Sequence, residues 1–322
     1  MGTIAFVFPG QGSQYVGMGR SLAEVSPAAA AVFTEADDAL GEPLSALAWG
    51  GDPAELDLTA NAQPALLATS IAYLRALEER LAAAGDPPLR PAFYAGHSMG
   101  QYSAMVAAGV FDVADGMRLV RERGRRMQAS GRGHDGAMAA VIGLDDARLP
   151  EVAAAGSAVG TFTIANRNSP GQVVVSGERA AVDAALAAAK ALGARRAVML
   201  PVSVAAHSPL MAEAADGMRT VLAGVPFRDP VAPLLANADA RLLEHGDACR
   251  EELVAHLTAG VDWVAAVRAM HDAGVTTFVE VGPGRVLTGL VKRIDPDAAA
   301  LALDDPDAPG RLALPGIAPG GL

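Results

Sequence analysis

The feature that most restricts the fold is a glycine-flanked serine, Gly96-His-Ser-Met-Gly100, between an apolar run and an alanine-rich run. Pro91 to Gly96 has the composition of a buried strand, and Gln101 to Gly109 that of a helix ending at glycine. Glycine on each side of Ser98 permits a sharp strand-to-helix turn that exposes the serine hydroxyl. The sequence therefore predicts that Ser98 stands at a helix N-terminus, where N–H groups and the helix dipole favour negative charge.

This turn predicts acyl chemistry at Ser98. In that geometry the hydroxyl attacks an acyl carbon, and the N–H of Met99 stabilises the resulting oxyanion. The alternative is a loop serine without chemistry, because short glycine patterns also arise by chance. The strand and helix patterns on either side favour the nucleophile.

Bulk properties exclude several classes of function. The 322 residues are 51% hydrophobic, enough for one large or two modest domains. A net charge of −11 argues against nucleic-acid and anionic-membrane partners. A single cysteine, Cys249, excludes an internal disulfide and a cysteine-cluster metal site. Without a secretory signal pattern or a membrane-length apolar run, we expect a cytoplasmic protein.

Alternating strands and helices predict an α/β fold with a mainly parallel sheet covered on both faces. The serine turn is typical of an α/β-hydrolase-like large subdomain. Between 136 and 200 the pattern changes to β-α-β-β-α-β, the order of a ferredoxin-like unit, which we interpret as an inserted small subdomain. The predicted organisation is 1–135 and 201–303 for the large subdomain, 136–200 for the insertion and 304–322 for a flexible tail.

Within these subdomains, three predicted elements bear on the site. Gln63 to Ala84 and Val113 to Ser130 have helical patterns, and Asn166 to Gly171 has the composition of a turn. The second helix carries five arginines, most of which by pattern form a solvated cationic face, while Arg123 is considered separately.

A serine nucleophile needs a neighbouring base. Of the six histidines, His207 follows an apolar stretch at the predicted subdomain junction, so it is the candidate base, or else a buried structural histidine. His97 adjoins Ser98, but the turn should point its ring elsewhere. The acids that would complete a hydrolase triad fall in the predicted insertion, which favours a Ser–His dyad held by backbone carbonyls. The other histidines show no metal-ligand spacing. His134 lies in the predicted hinge, His245 and His271 have polar contexts, and His256 completes the set.

Six ordered motifs together resemble the malonyl-CoA:acyl-carrier-protein transacylases of fatty-acid synthesis and the acyltransferases of polyketide synthases. The resemblance runs from about Thr3 to Arg293. The motifs are Phe8-Pro-Gly-Gln-Gly-Ser-Gln14, Gly96-His-Ser-Met-Gly100, Arg121-Glu-Arg-Gly-Arg-Arg-Met-Gln128, Asn166-Arg-Asn-Ser-Pro-Gly-Gln-Val-Val-Val-Ser-Gly177, Ser203-Val-Ala-Ala-His207 and Glu280-Val-Gly-Pro-Gly-Arg-Val-Leu-Thr-Gly289.

The resemblance implies roles for individual residues. Ser98 carries the acyl group, and His207 is the base. Gln11 and the N–H of Met99 form the oxyanion hole. Arg123 holds the free carboxylate of the malonyl group, which suits a guanidinium fork better than a lysine. The predicted substrate-binding residues are Arg123, His256 and Asn166.

The resemblance also implies a ping-pong transfer from coenzyme A to the phosphopantetheine thiol of an acyl carrier protein, with no metal or other cofactor. Water must be excluded from the acyl-enzyme. Docking of an acidic carrier would need a local basic patch. The candidates, which scattered solubilising charges would equally explain, are Lys190, Arg195, Arg196, Lys292 and Arg293.

Departures from the family pattern leave alternatives open. His256 stands where the family commonly has Gln, so it either supports the base through its backbone carbonyl or alters the acyl pocket. Val204-Ala-Ala-His207 matches neither the usual malonyl nor the usual methylmalonyl signature. The alternatives are an alkylmalonyl-selective or carrier-to-carrier polyketide acyltransferase, a serine thioesterase on the same turn, or a non-catalytic scaffold. The carboxylate-binding role of Arg123 argues against the thioesterase.

Overall fold

The computed structural model of the chain describes residues 3–131, 133, 135–202 and 204–304. Three predictions therefore fall outside the described residues: the hinge position of His134, the Ser203 end of one motif, and positions 305–322 of the predicted tail.

The elements alternate along the chain as an α/β fold requires. The strands are β1 (Thr3–Phe8), β2 (Phe93–Gly96), β3 (Gly136–Ile142), β4 (Phe162–Ser169), β5 (Gln172–Glu178), β6 (Arg196–Met199), β7 (Leu234–Leu235), β8 (Leu242–Leu243), β9 (Val261–Asp262), β10 (Val275–Glu280) and β11 (Ala299–Ala302). The helices are α1 (Arg20–Val25), α2 (Pro27–Leu40), α3 (Leu44–Gly50), α4 (Pro53–Asp57), α5 (Thr59–Ala84), α6 (Gly100–Ala107), α7 (Val113–Ser130), α8 (Leu149–Ser157), α9 (Arg179–Ala191), α10 (Ala212–Ala223), α11 (Gly246–Ala255), α12 (Trp263–Asp272) and α13 (Val286–Ile294).

A six-stranded sheet organises the larger part of the molecule, in the order β11-β10-β1-β2-β7-β8. Its strands pair in parallel except at one edge, where β8 runs antiparallel to β7. Alternate residues of β1 pack on opposite faces: Phe6 and Phe8 contact the core under α2, α5, α6 and α7, whereas Ala5 and Val7 contact α12 and α13. Helices thus cover both faces, as the predicted mainly parallel sheet requires.

A second, five-stranded sheet follows the order β6-β3-β5-β4-β9. Its first four strands are antiparallel neighbours, and α8 and α9 share an apolar core with them. The fifth strand comes from much later in the chain, because β9 pairs in parallel with β4 through Asn166↔Val261 and Arg167↔Asp262. The predicted insertion therefore shares its edge with the segment beyond residue 201.

The helix predicted from Gln63 begins earlier, at Thr59, and Pro64 lies inside it. A proline has no N–H to donate to the carbonyl four residues before it, which ordinarily breaks a helix. Here the carbonyl of Ala60 accepts a hydrogen bond from Nη1 of Arg121 instead. The helix continues because a side chain of α7 satisfies the group that proline leaves unpaired. Helix α7 itself has the predicted bounds, Val113–Ser130.

The predicted turn at Asn166 to Gly171 was wrong over its first four residues, because β4 extends through Ser169. Polar side chains are compatible with this strand because Asn166 and Asn168 line a cavity between the two sheets and not an apolar layer. The predicted tail also begins too early: Asp304 is buried and accepts hydrogen bonds from Tyr15, Tyr73 and the N–H of Gly284. No helix in the described ranges has the length and apolar character to cross a membrane.

Candidate active site

Ser98 sits in a strained turn between β2 and α6. Its φ is 54°, in the left-handed region that non-glycine residues rarely adopt. A Cβ at Gly96 would lie 2.0 Å from the backbone carbon of Gly100, and one at Gly100 would lie 2.2 Å from the carbonyl oxygen of Phe8. Both glycines are therefore required by close backbone approach, and together they hold the Ser98 hydroxyl at the helix N-terminus.

The Ser98 hydroxyl contacts the ring of His207. Oγ of Ser98 is 2.8 Å from Nε2 of His207. Nδ1 of the same ring lies 2.7 Å from the carbonyl oxygen of His256 and 3.1 Å from that of Ala259. Because carbonyls only accept, Nδ1 carries the proton and Nε2 is left to accept from Ser98. Two backbone carbonyls thus take the place of a triad carboxylate.

The environment keeps His207 neutral. Burial lowers its pKa to about 4, and the positive charge of Arg123 adds to the effect, while the two carbonyls act in the opposite direction. At neutral pH the imidazole is therefore unprotonated and ready to take a proton. Like Ser98, His207 has a positive φ, 59°, so both members of the pair are held in uncommon backbone conformations.

Arg123 approaches Ser98 from α7. Its guanidinium is 1% exposed and donates to Oγ of Ser98 (3.1 Å) and to Oε1 of Gln63 (2.7 Å). Its Cζ is 5.8 Å from the ring centroid of Tyr102. Within the described ranges, no carboxylate pairs with it, and its Nε has no hydrogen-bond partner. The prediction that most α7 arginines form a solvated face is wrong for Arg121, which is buried, whereas Arg118 and Arg125 are exposed.

Ser98, His207 and Arg123 open onto one cavity of about 420 Å³ between the two sheets. Both polar groups and apolar side chains line it, the latter from β3, β5, α7, α13, the Ser98 turn and the segment 200–206. The apolar and thioether residues are Met99, Met127, Met138, Val174, Leu200, Val202, Val204, Ala206, Val286, Leu287 and Leu290. A cavity with both polar and apolar lining suits a ligand of mixed polar and apolar character.

The structure brings most of the other predicted site residues to the same cavity. Gln11, Met99 and Asn166 line it. Nε2 of Gln11 donates to Oγ1 of Thr59 at 3.3 Å, a long contact, and Oδ1 of Asn166 is buried with no hydrogen-bond partner among the residues that the structure describes. His256 is the exception: its side chain is fully buried behind His207 and does not line the cavity, so its direct contribution is the carbonyl that holds His207. His256 directly follows the last residue of α11, and from this position its carbonyl contacts His207.

None of the remaining described histidines forms a hydrogen bond with the Ser98 hydroxyl, although His97 lines the same cavity. His97 turns its ring toward Trp263 and bonds Oδ1 of Asn168 at 2.9 Å. His245 and His271 are exposed and lie beside Asp229 and Asp295 respectively. In the part of the chain that the structure describes, no group of His, Cys, Asp or Glu is arranged to hold a metal ion.

Sequence reasoning missed two side chains that shape the site. Gln63 orients Arg123, and Asn237 accepts a hydrogen bond from the N–H of Ser98. A glutamine within a strongly apolar helical run was the available signal for Gln63. Asn237 follows β7 at the carboxyl end of a parallel sheet, where functional groups of α/β proteins gather. The carbonyl of Ala259 could not have been found, because a backbone acceptor has no sequence signature.

Comparisons with known proteins agree on one family. The model of the acyl transferase domain matches residues 5–299. A malonyl CoA-acyl carrier protein transacylase from Escherichia coli K12 is 47% identical over 311 residues, covering 96% of this chain and 98% of that protein. The crystal structure of an acyl carrier protein S-malonyltransferase from Vibrio cholerae superposes with a TM-score of 0.89 at 40% identity, covering 94% and 97% of the two chains. A type II PKS acyl-carrier protein in complex with its malonyl-transacylase gives 0.88 at 42%, covering 95% and 97%.

Proposed function

The chain belongs to the acyl transferase domain family, and from this membership and the geometry of the site we propose that it is a malonyl-CoA:acyl carrier protein transacylase. It moves a malonyl group from coenzyme A to the phosphopantetheine thiol of an acyl carrier protein. Ser98 carries the acyl group between the two half-reactions. The related proteins named for this activity match nearly the whole chain, which supports the assignment.

The observation that carries the proposal is the buried guanidinium of Arg123, 3.1 Å from the nucleophilic oxygen and without a carboxylate partner among the described residues. Burying a charge without a counter-ion is costly, so the site is built to receive an anion. A carboxylate bound there places the other end of a three-carbon diacid at Ser98. An esterase for neutral acyl groups has no use for such a cation.

In the first half-reaction, Oγ of Ser98 attacks the thioester carbonyl carbon while Nε2 of His207 takes its proton. The N–H of Met99 and the amide of Gln11 are the proposed donors to the oxyanion, which replaces the long contact of Gln11 with Thr59. The C–S bond then breaks, and the departing thiolate takes the proton from His207. The carbonyls of His256 and Ala259 keep the imidazole oriented throughout.

The second half-reaction reverses these steps with a different thiol. The pantetheine sulfur attacks the ester carbonyl as His207 takes the thiol proton, and the proton returns to Oγ of Ser98 when the C–O bond breaks. Acyl exchange between a thioester and a hydroxyl involves no change of oxidation state, so the proposed reaction requires no redox cofactor. The apolar lining limits water, which would otherwise hydrolyse the acyl-enzyme.

A basic surface beside the cavity supplies charge for an acidic carrier protein. Gln172 lines both the active-site cavity and a neighbouring concave surface that contains Arg195, Arg196 and Arg293. These arginines are exposed, as are Lys190 and Lys292. On a chain of net charge −11, this local cationic surface at the cavity mouth is the proposed carrier docking site.

The subdomain organisation is also part of the proposal. We assign an α/β-hydrolase-like large subdomain to the six-stranded sheet and a ferredoxin-like small subdomain to β3 through β6. The β-α-β-β-α-β order of the latter supports this assignment. The cavity lies at their junction, where ligand sites commonly occur. We place the reaction in the cytoplasm, in keeping with the family's part in fatty-acid and polyketide synthesis.

The function is tested by following the acyl group. Incubation with malonyl-CoA should add one malonyl group to the protein by intact-mass analysis, and addition of a phosphopantetheinylated carrier should move that mass to the carrier. Competition among malonyl-, methylmalonyl-, ethylmalonyl- and acetyl-CoA identifies the preferred donor. Preference for a branched donor would revise the substrate, whereas rapid release of free malonate without transfer would point to a thioesterase.

The rate should be insensitive to mild acid. Since His207 must be neutral to act and burial lowers its pKa to about 4, kcat/KM should stay level as pH falls and halve only near that value. In Arg123→Ala the acid limb should move to higher pH, because the cation that disfavours a second positive charge is gone. Initial rates across the pH range, with circular dichroism to exclude unfolding, provide the measurement. An acid limb near an ordinary histidine pKa in the wild type would contradict this assignment.

A further inference from the structure

The support of the Ser98 turn contains a side chain that the proposed mechanism does not use. Asn237 is 4% exposed and lies two residues beyond the end of the short strand β7. Its Oδ1 accepts the N–H of Ser98 at 2.8 Å, and its Nδ2 donates to the carbonyl of Gly96 at 3.0 Å. A single carboxamide therefore spans the turn from the residue before His97 to the residue after it.

The backbone of Asn237 is fixed as firmly as its side chain. Its N–H donates to Oε1 of the buried Glu252 on α11 at 2.7 Å. Its carbonyl accepts the N–H of Asp262 at 2.7 Å, at the end of β9. All four polar groups of the residue are thus satisfied, and a buried amide held in this way has little rotational freedom.

The same helix that anchors Asn237 also orients the base. Glu252 lies on α11, and the carbonyl of His256, at the C-terminus of α11, accepts from Nδ1 of His207. Ser98 and His207 are therefore held from one element, through Asn237 on one side and through His256 on the other. This connection explains how two residues far apart in sequence keep a 2.8 Å contact without a triad acid.

We propose that Asn237 is a positioning residue for the nucleophile: its carboxamide holds the strained Ser98 turn so that Oγ meets His207 and the next N–H, that of Met99, faces the oxyanion. The inference rests on the proposed role of Ser98 as nucleophile. By taking the N–H of Ser98, Asn237 also determines which backbone donor remains for the oxyanion. The residue acts through Ser98 and touches no reacting atom.

The carboxamide is required because the turn presents one donor and one acceptor. Asp at the same position has the same shape, but its ionised form only accepts and would place a negative oxygen against the carbonyl of Gly96. Its protonated form again offers one donor and one acceptor. Asn237→Asp should therefore regain function as the pH falls, which a merely structural role does not predict. The ionisable groups on the surrounding elements are His97, Asp239, Arg241, Glu252, His256 and Asp262.

The test uses a fluorophosphonate probe, which labels the serine without any malonyl donor, alongside acylation by malonyl-CoA. Asn237→Ala should label Ser98 about 10- to 100-fold more slowly than the wild type, with KM for malonyl-CoA within about twofold. Asn237→Asp should be equally slow near pH 8, and its rate relative to the wild type should rise at least about tenfold toward pH 5.5, whereas the Asn237→Ala ratio stays flat.

Gln101→Ala is the matched control. The side chain of Gln101 is fully buried and also makes two hydrogen bonds at this turn, accepting from the N–H of Gly96 and donating to the carbonyl of Leu235. Its hydrogen bond to the Ser98 carbonyl comes from the backbone N–H, which alanine keeps. It should lower the melting temperature as Asn237→Ala does, with a smaller effect on labelling. If Asn237→Ala does not fold, the isosteric Asp variant alone decides.

A wild-type labelling rate in folded Asn237→Ala, or a flat pH ratio in Asn237→Asp, overturns the inference. Failure of the wild type to accept malonyl from malonyl-CoA would instead reject the proposed substrate, and the fluorophosphonate result would still decide the role of Asn237. The two failures are therefore distinguishable in one set of samples.

Discussion

Replacing Ser98 with alanine is expected to lower the rate of malonyl transfer by at least about four orders of magnitude, because removal of the nucleophile leaves no acyl-enzyme. The cavity, Arg123 and the oxyanion donors remain, so binding of malonyl-CoA should persist. Intact-mass analysis after incubation with malonyl-CoA should show no adduct. Transfer to a carrier protein, followed by mass spectrometry of the carrier, gives the rate.

Ser103→Ala is the matched control for this experiment. Ser103 lies on α6, which begins two residues after Ser98, and its buried hydroxyl has no hydrogen-bond partner within the described part of the chain. Its removal should leave both the adduct and the transfer rate close to those of the wild type. An undiminished malonyl adduct on Ser98→Ala would place the acyl group elsewhere and reject the proposed mechanism.

Replacing Arg123 with alanine is expected to lower kcat/KM for malonyl-CoA by roughly 100- to 10,000-fold. Two charge-assisted hydrogen bonds to the substrate carboxylate are lost, each with a typical contribution of about 1.5–3 kcal/mol. Acetyl-CoA has no free carboxylate and does not form these bonds, so its kcat/KM should change little. The ratio of kcat/KM for malonyl-CoA to kcat/KM for acetyl-CoA, measured by competition, should therefore fall by a similar factor.

Two further substitutions test whether this effect belongs to the guanidinium. Arg123→Lys keeps a charge but not the planar fork, and we expect an intermediate loss. Arg125 is on the same helix, is exposed and pairs with Glu42, so Arg125→Ala should keep the malonyl preference. Unchanged selectivity in Arg123→Ala would remove the observation on which the proposed substrate depends.

The reaction class and the general fold could be predicted because their signals are local. A strand, two glycines and a helix specify the Ser98 turn, and the structure shows why, since a Cβ at either glycine would collide with the backbone. Helix α7 was found to its exact bounds because its helical periodicity is continuous over 18 residues. The ordered motifs supplied the family, which the comparisons confirm.

What the sequence did not reveal depends on contacts between distant segments. Helix α5 passes through Pro64 only because Arg121, on another helix, satisfies the carbonyl of Ala60. The turn composition of Asn166 and Asn168 concealed a strand, since both side chains line the cavity from β4. The sequence places Asn237 only near the end of a strand. Its role could not be predicted, because its four hydrogen bonds join it to β2, the Ser98 turn, α11 and β9.

The strand β9 limits how relatives of this protein can be recombined. It completes the edge of the five-stranded sheet beside Asn166, although it lies more than sixty residues beyond the rest of that sheet. A chimera that exchanged only 136–200 would set a foreign β4 against the native β9, and any mismatch would shift Asn166 or leave edge amides unpaired. Donor segments for altered substrate choice should therefore be transplanted as two pieces, the insertion together with its β9 partner strand.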